Sequence, residues 1–177
     1  MRNIIKVTIL ILCGIYSVST ANAQLLKRPR VLLFANGAYA SPSNDEMKKA
    51  YKNGVAVEFG GGIGFGKTML VGTIGYQAYS NISNLSGIPN GTLKVNPLKI
   101  GIRQNIIGPL FVLGNGGVAI QSYSKSDAKS SNFIYELGGG LKLGLFEFQL
   151  THNSWKQPGA SANSSALLFK GGLAFKL

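Results

Sequence analysis

Cysteine, histidine, acidic side chains and long apolar runs are all scarce in this sequence. The single cysteine is Cys13 and the single histidine is His152. Beyond residue 23 there is no thiol, which excludes disulfides, cysteine nucleophiles and cysteine metal sites. One imidazole is a poor ligand set, so neither a metal nor an organic cofactor is expected. Six acidic residues stand against 18 Lys and Arg, for a formal charge of +12. After the first segment no stretch of 18 or more consecutive apolar residues occurs, which excludes a transmembrane helix.

The first 23 residues carry the marks of a secretion signal. Arg2 and Lys6 form a positive start, residues 7–16 an apolar centre, and Ala21-Asn22-Ala23 a small-x-small cleavage site before Gln24. The apolar centre is too short to span a bilayer as a helix. Leu12, which precedes Cys13, is not the small residue that a lipoprotein site requires. The expected organisation is a signal peptide at 1–23 and one domain at 24–177. Removing Arg2 and Lys6 lowers the formal charge from +12 to +10.

Glycine, by contrast, is abundant: 24 residues, many inside the apolar runs. Eight stretches have strand character, at about 31–40, 53–65, 68–79, 92–104, 109–122, 132–143, 145–155 and 166–177. Their lengths suit strands that cross a bilayer at a tilt. The connections at 66–67, 105–108 and around Gly144 are tight, whereas 41–52, 80–91, 123–131 and 156–165 are long and polar. Short turns at one end and long loops at the other are the pattern of an outer-membrane barrel.

Period-two alternation assigns the two faces of each strand. Val55, Val57, Phe59, Ile63 and Phe65 share one face of the second strand; Gly54, Ala56, Glu58, Gly60, Gly62 and Gly64 share the other. Phe133, Tyr135 and Leu137 oppose Glu136, Gly138 and Gly140 in the same way, as Leu167 and Phe169 oppose Lys170 and Gly172. In the fourth strand a phase slip with a bulge is expected at Asn96-Pro97, because proline cannot donate to the ladder. The bulky apolar face cannot fit inside eight strands, whereas the glycine face matches a narrow bore. Large apolar groups outside and charges inside are stable only in lipid. The expected fold is all-β: an eight-stranded antiparallel up-and-down transmembrane β-barrel in the bacterial outer membrane. The layout resembles the small OmpA/OmpX-type barrels along the whole of 24–177, with Phe175 near the end echoing their C-terminal aromatic.

Two stretches imitate nucleotide-binding motifs. Gly61-Gly62-Ile63-Gly64-Phe65-Gly66-Lys67-Thr68 fits G-x-x-x-x-G-K-[ST], and Gly114-Asn115-Gly116-Gly117-Val118-Ala119 fits G-x-G-x-x-A. Each mechanism needs a helix after the glycine loop, and strand sequence follows instead. Both read as glycine-lined bore. The inward charges are more informative. Glu58, Glu136 and Glu147 can face Lys99, Arg103, Lys142 and Lys170, and buried charges require such pairing. An ion-paired plug in a closed lumen follows, with a gated pore or proton path as the alternative. An exported basic chain rarely meets nucleic acid. The anionic partners available to it are outer-membrane lipids and lipopolysaccharide. A monomer is expected, and no protein partner is indicated.

His152 and Ser154 lie two apart on one strand, which can bring a base beside a nucleophile for ester hydrolysis. With Asn132-Phe133, Gly138-Gly139-Gly140-Leu141-Lys142 and Lys156-Gln157-Pro158-Gly159, this His-x-Ser resembles the lipid A deacylases. The resemblance covers residues from about 132 onward. It implies an eight-stranded outer-membrane esterase with Ser154 as nucleophile and His152 as base. Trp155 stands where that family has an Asn serving the oxyanion, and no acidic residue follows Glu147. Without its orienting acid a triad loses most of its activity. The alternative places His152, Ser154 and Trp155 in an interfacial girdle at headgroup level. A non-enzymatic barrel with a structural or surface-interaction role is therefore the leading expectation, and the hydrolase the second.

Overall fold

A computed structural model describes residues 29–82, 91–124, 126–156 and 163–177. The segment expected to be the signal peptide lies outside them. Eight strands form: β1 (Arg30–Pro42), β2 (Tyr51–Phe65), β3 (Thr68–Asn81), β4 (Leu93–Asn105), β5 (Leu110–Tyr123), β6 (Ser126–Leu143), β7 (Phe146–Lys156) and β8 (Asn163–Lys176). Each pairs antiparallel with its sequence neighbours, and β1 pairs with β8 to close the barrel. Closure is what a sheet in hydrocarbon requires, since no water is present to satisfy an open edge.

The turn end is set by glycine. Gly66, Gly108 and Gly144 adopt φ of 59°, 57° and 60°, a left-handed conformation that tight hairpin connections need and side chains resist. Stepping across paired positions from Leu33 leads through Gly61, Gly72, Ile100, Gly116, Tyr135, Ser154 and Ser165. The path returns to β1 at Ser43, ten residues beyond its start. That stagger tilts the strands by about 40° and fixes a bore just wide enough for side chains.

The exterior is an apolar belt. Val55, Phe59, Ile74, Leu98, Phe133, Phe148 and Phe169 are each at least half solvent-exposed or nearly so, and all point outward. On β1 the belt runs from Val31 to Tyr39, nine residues, the length a tilted strand needs to cross a membrane. Tyr39, Tyr76 and Tyr135 point outward towards its loop-side edge, and Phe65, Phe146 and Phe175 towards its turn-side edge. Such flanking aromatics mark the two lipid–water interfaces.

Several features differ from expectation. Most of the segment 123–131 is strand: β5 runs to Tyr123 and β6 starts at Ser126, and these two residues pair after a register shift between Ser122 and Tyr123. The 41–52 connection contains a one-turn-and-a-half helix, α1 (Asp45–Ala50), whose Met47 and Ala50 are buried in the mouth. Asn44, at its N-cap, makes no side-chain capping bond. The Asn44 side chain instead donates to the Asn163 carbonyl at 2.7 Å and accepts from the Ser165 amide at 3.1 Å, binding α1 to β8. β4 shows no bulge at Asn96-Pro97: its register with β5 is continuous, and Leu93, Val95 and Pro97 all face inward in phase with Lys99. The apparent slip arises because the bore changes character along its length. Its loop-side third accepts apolar side chains.

Candidate functional site: the lumen

Four inward residues from alternate strands meet at one level: Glu58 on β2, Lys99 on β4, Glu136 on β6 and Lys170 on β8. Lys99 Nζ lies 2.7 Å from Glu58 and also contacts Glu136. Lys170 Nζ lies 2.8 Å from Glu58 and 2.9 Å from Glu136. Every carboxylate thus accepts from both ammonium groups, and the four charges close into a ring. Isolated charges in a bore with no bulk water cost several kcal/mol each, and this mutual pairing offsets much of that cost.

Gly117, the lateral neighbour of Lys99 on β5, lets the β4 backbone approach closely at the level of the ring. A Cβ there would sit 2.0 Å from the Leu98 carbonyl oxygen. Nearer the turns, Arg103 on β4 forms a second pair with Glu147 on β7 at 2.7 Å. The same guanidinium stacks over Phe111, 3.5 Å from the ring centre, and Gln149 donates to Glu147 at 2.6 Å. Three acids balance three bases, so the inner network is neutral.

Between the two groups lies a cavity of about 10 Å³ bordered by Thr73, Arg103, Asn115 and Gln149, room for about one water. Towards the loops an apolar cluster fills the bore, with Met47, Tyr79, Leu93, Val95, Trp155 and Leu168 at its heart. Towards the turns Leu32, Phe34, Met69, Val71 and Ala174 do the same. The four-charge ring therefore lies between the two apolar clusters, while Arg103 stands beside Met69 within the turn-side one.

The predicted site residues divide into three groups. Glu58, Lys99, Glu136 and Lys170 come together in the ring, while Arg103 and Glu147 pair separately. Lys142 joins neither. It is opposite Glu147 in the register, but that carboxylate is taken by Arg103 and Gln149. Lys142 instead donates to the Gly144 carbonyl at the half-buried turn edge.

His152 and Ser154 share the outward face, as period two requires. Ser154 is only 3% exposed, opposite Tyr135 and Ser165, and the His152 ring lies 6.4 Å from that of Tyr135. Among the described residues no hydrogen bond joins His152 to Ser154, and the ion-paired carboxylates are those of Glu58, Glu136 and Glu147 alone. Trp155 does not belong to an outer girdle. It faces inward, 1% exposed, with its ring 6.2 Å from that of Tyr79. Odd positions of β7 point into the bore, and Trp155 obeys that rule. Applied strictly, the same rule would have found Tyr79, Gln77 and Asn115, the inward residues that charge alone does not flag.

No protein-family model matches the chain, and no curated protein does. Solved structures do resemble it. Ail, the attachment invasion locus protein of Yersinia pestis, aligns in its crystal structure with TM-score 0.52 and 12% identity, covering 85% of this chain and all of Ail. Its backbone structure in a phospholipid bilayer nanodisc aligns with TM-score 0.53 and 13% identity, over 81% and 99%. Neisserial surface protein A aligns with TM-score 0.50 and 12% identity, over 84% and 97%. At such identities the likeness establishes the fold, that of the small bacterial outer-membrane barrels. The outward apolar belt independently requires a membrane around it.

Proposed function

We propose that this protein is a non-enzymatic barrel of the bacterial outer membrane, exported by a signal peptide at 1–23 that is cleaved to leave 24–177. It acts as a monomeric, closed scaffold that presents basic and polar loops to the exterior. The observation that carries this reading is the layered bore: a neutral ring of Glu58, Lys99, Glu136 and Lys170 sealed between two apolar clusters. A bore so filled supplies rigidity and no passage. The belt supplies the anchor. What remains for recognition is the loop side, where Lys48, Lys49, Lys52, Lys129 and Lys156 are exposed. Their charge favours anionic partners, among which lipopolysaccharide is the one an outer-membrane protein always meets.

Two measurements test the proposal. Reconstituted in planar bilayers, the barrel should show no steady conductance, and a stable open level would overturn the closed-scaffold reading. Lipid A from cells expressing wild type or Ser154→Ala should show the same acyl pattern. A loss of acyl chains that depends on Ser154 would replace the scaffold with a hydrolase.

A further inference from the structure

The register lines up Lys94 on β4, Ser122 on β5 and Lys129 on β6 as successive lateral neighbours. All three point outward, by the same parity that turns Leu98, Ile120 and Phe133 to lipid on those strands. They stand just beyond the loop-side edge of the belt, where lysine stems reach up to headgroups. Among the described side chains neither Lys94 nor Lys129 enters an ion pair. Two strand steps separate the two ammonium groups by about 10 Å at their backbones.

Below them on the same flank the belt is hollowed. A furrow of about 730 Å³ runs across β2–β5, floored by Gly61, Gly72 and Gly116 and walled by Ile74, Leu98 and Val118. Internal packing does not demand these glycines. A Cβ would find no atom nearer than 3.4 Å at Gly61, 4.0 Å at Gly72 or 3.5 Å at Gly116. Leu98 borders the furrow, and Lys94 lies four residues further along the same face of β4.

We infer that this flank holds one molecule of a bisphosphorylated glycolipid, the lipid A portion of lipopolysaccharide. An acyl chain fills the furrow, while Lys94 and Lys129 each take a phosphate and the Ser122 hydroxyl donates between them. Two cations two strands apart suit a headgroup with two phosphates better than a phospholipid with one. The inference rests on the orientation proposed above, with the loop side facing out.

The test uses the protein expressed from its full gene and extracted from membranes in a zwitterionic detergent, with bound lipid counted by native mass spectrometry. Lipid A and phosphatidylglycerol serve as competing probes. Wild type should retain one lipid A in preference to phosphatidylglycerol. Lys94→Glu with Lys129→Glu should lower that retention about tenfold or more, given roughly 1 kcal/mol for each basic residue near an anionic surface. Gly72→Leu with Gly116→Leu, which fills the furrow and leaves both lysines, should lower it as well. Lys67→Glu, in the exposed β2–β3 turn at the opposite end of the barrel, should leave it unchanged. Equal retention by the Lys94/Lys129 variant, or equal retention of the two lipids by wild type, would overturn the inference while leaving the scaffold reading intact. If the chain were recovered with no heat-shifted barrel band at all, the membrane reading itself would fall.

Discussion

The inward and outward glycines of this barrel are the same residue under opposite rules. A Cβ on inward Gly117 or Gly172 would lie 2.0 Å from a backbone oxygen, and on inward Gly140 2.2 Å. A Cβ on outward Gly37 or Gly72 would find its first neighbour at 4.0 Å. Inside, glycine is obligatory at these positions because the backbone of the adjoining strand stands where a Cβ would go. Outside, at Gly37 and Gly72, it is optional as far as the protein's own atoms are concerned, and its effect is to shape the surface that meets lipid. The charged residues obey the same division: among the described residues all six ion-paired ones are inside, where they can find each other, and the mid-belt exterior has none.

The sharpest way to break this contrast is to unbalance the ring. Glu136→Leu leaves two buried ammonium groups with one carboxylate, and should destabilise the barrel by about 3–5 kcal/mol, measured as a fall in the urea midpoint in detergent. Glu136→Leu combined with Lys99→Leu should recover much of that loss. A smaller effect is expected from charging the exterior: Phe59→Arg, on the lipid face, should cost about 2–4 kcal/mol in lipid vesicles. Within the glycine set, Gly117→Ala forces a methyl against the β4 backbone at Leu98 and should cost about 1–3 kcal/mol in the same urea titration. Gly72→Ala should stay within about 0.5 kcal/mol of wild type, as a surface change that touches nothing. Equal costs at Gly117 and Gly72 would show that the inward face tolerates a methyl as well as the outward one does.

Much of this architecture was legible in the sequence, because period two in a lipid-facing sheet is written twice, once in large residues and once in small ones. The eight strands, their faces and the three tight turns followed from it. What escaped reading had two physical causes. Strands that continue beyond the membrane lose their apolar signal, so the polar 126–131 portion of β6 looked like a loop. The bore is also not uniformly polar: inward Leu93, Val95 and Trp155 suggested a slipped phase or an outer girdle, although parity had not changed. For the lumen network, charge identified the participants but not the partners. Lys142 shares the inward parity of the others, and only the three-dimensional competition for Glu147 leaves it at the rim. The His152–Ser154 pair illustrates the reverse. Its spacing was visible, but the neighbours that would give it chemistry are not assembled around it.

The seam between the first and last strands has a consequence for assembly. Every other strand contact is a hairpin formed between sequence neighbours, whereas β1 meets β8 across nearly the full chain through eleven paired positions. Hydrogen bonds between Val31 and Leu177 lie at one end of this seam, and the contacts of Ser43 and Asn44 with Ser165 at the other. Closing so long a loop costs only about 3 kcal/mol more than closing a tight hairpin, since the entropy grows with the logarithm of length. The seam is thus slow to find rather than weak once found. During insertion the sheet must exist for a time with two raw edges, and the final zipping of those edges is the step at which this protein is most exposed to capture by another strand.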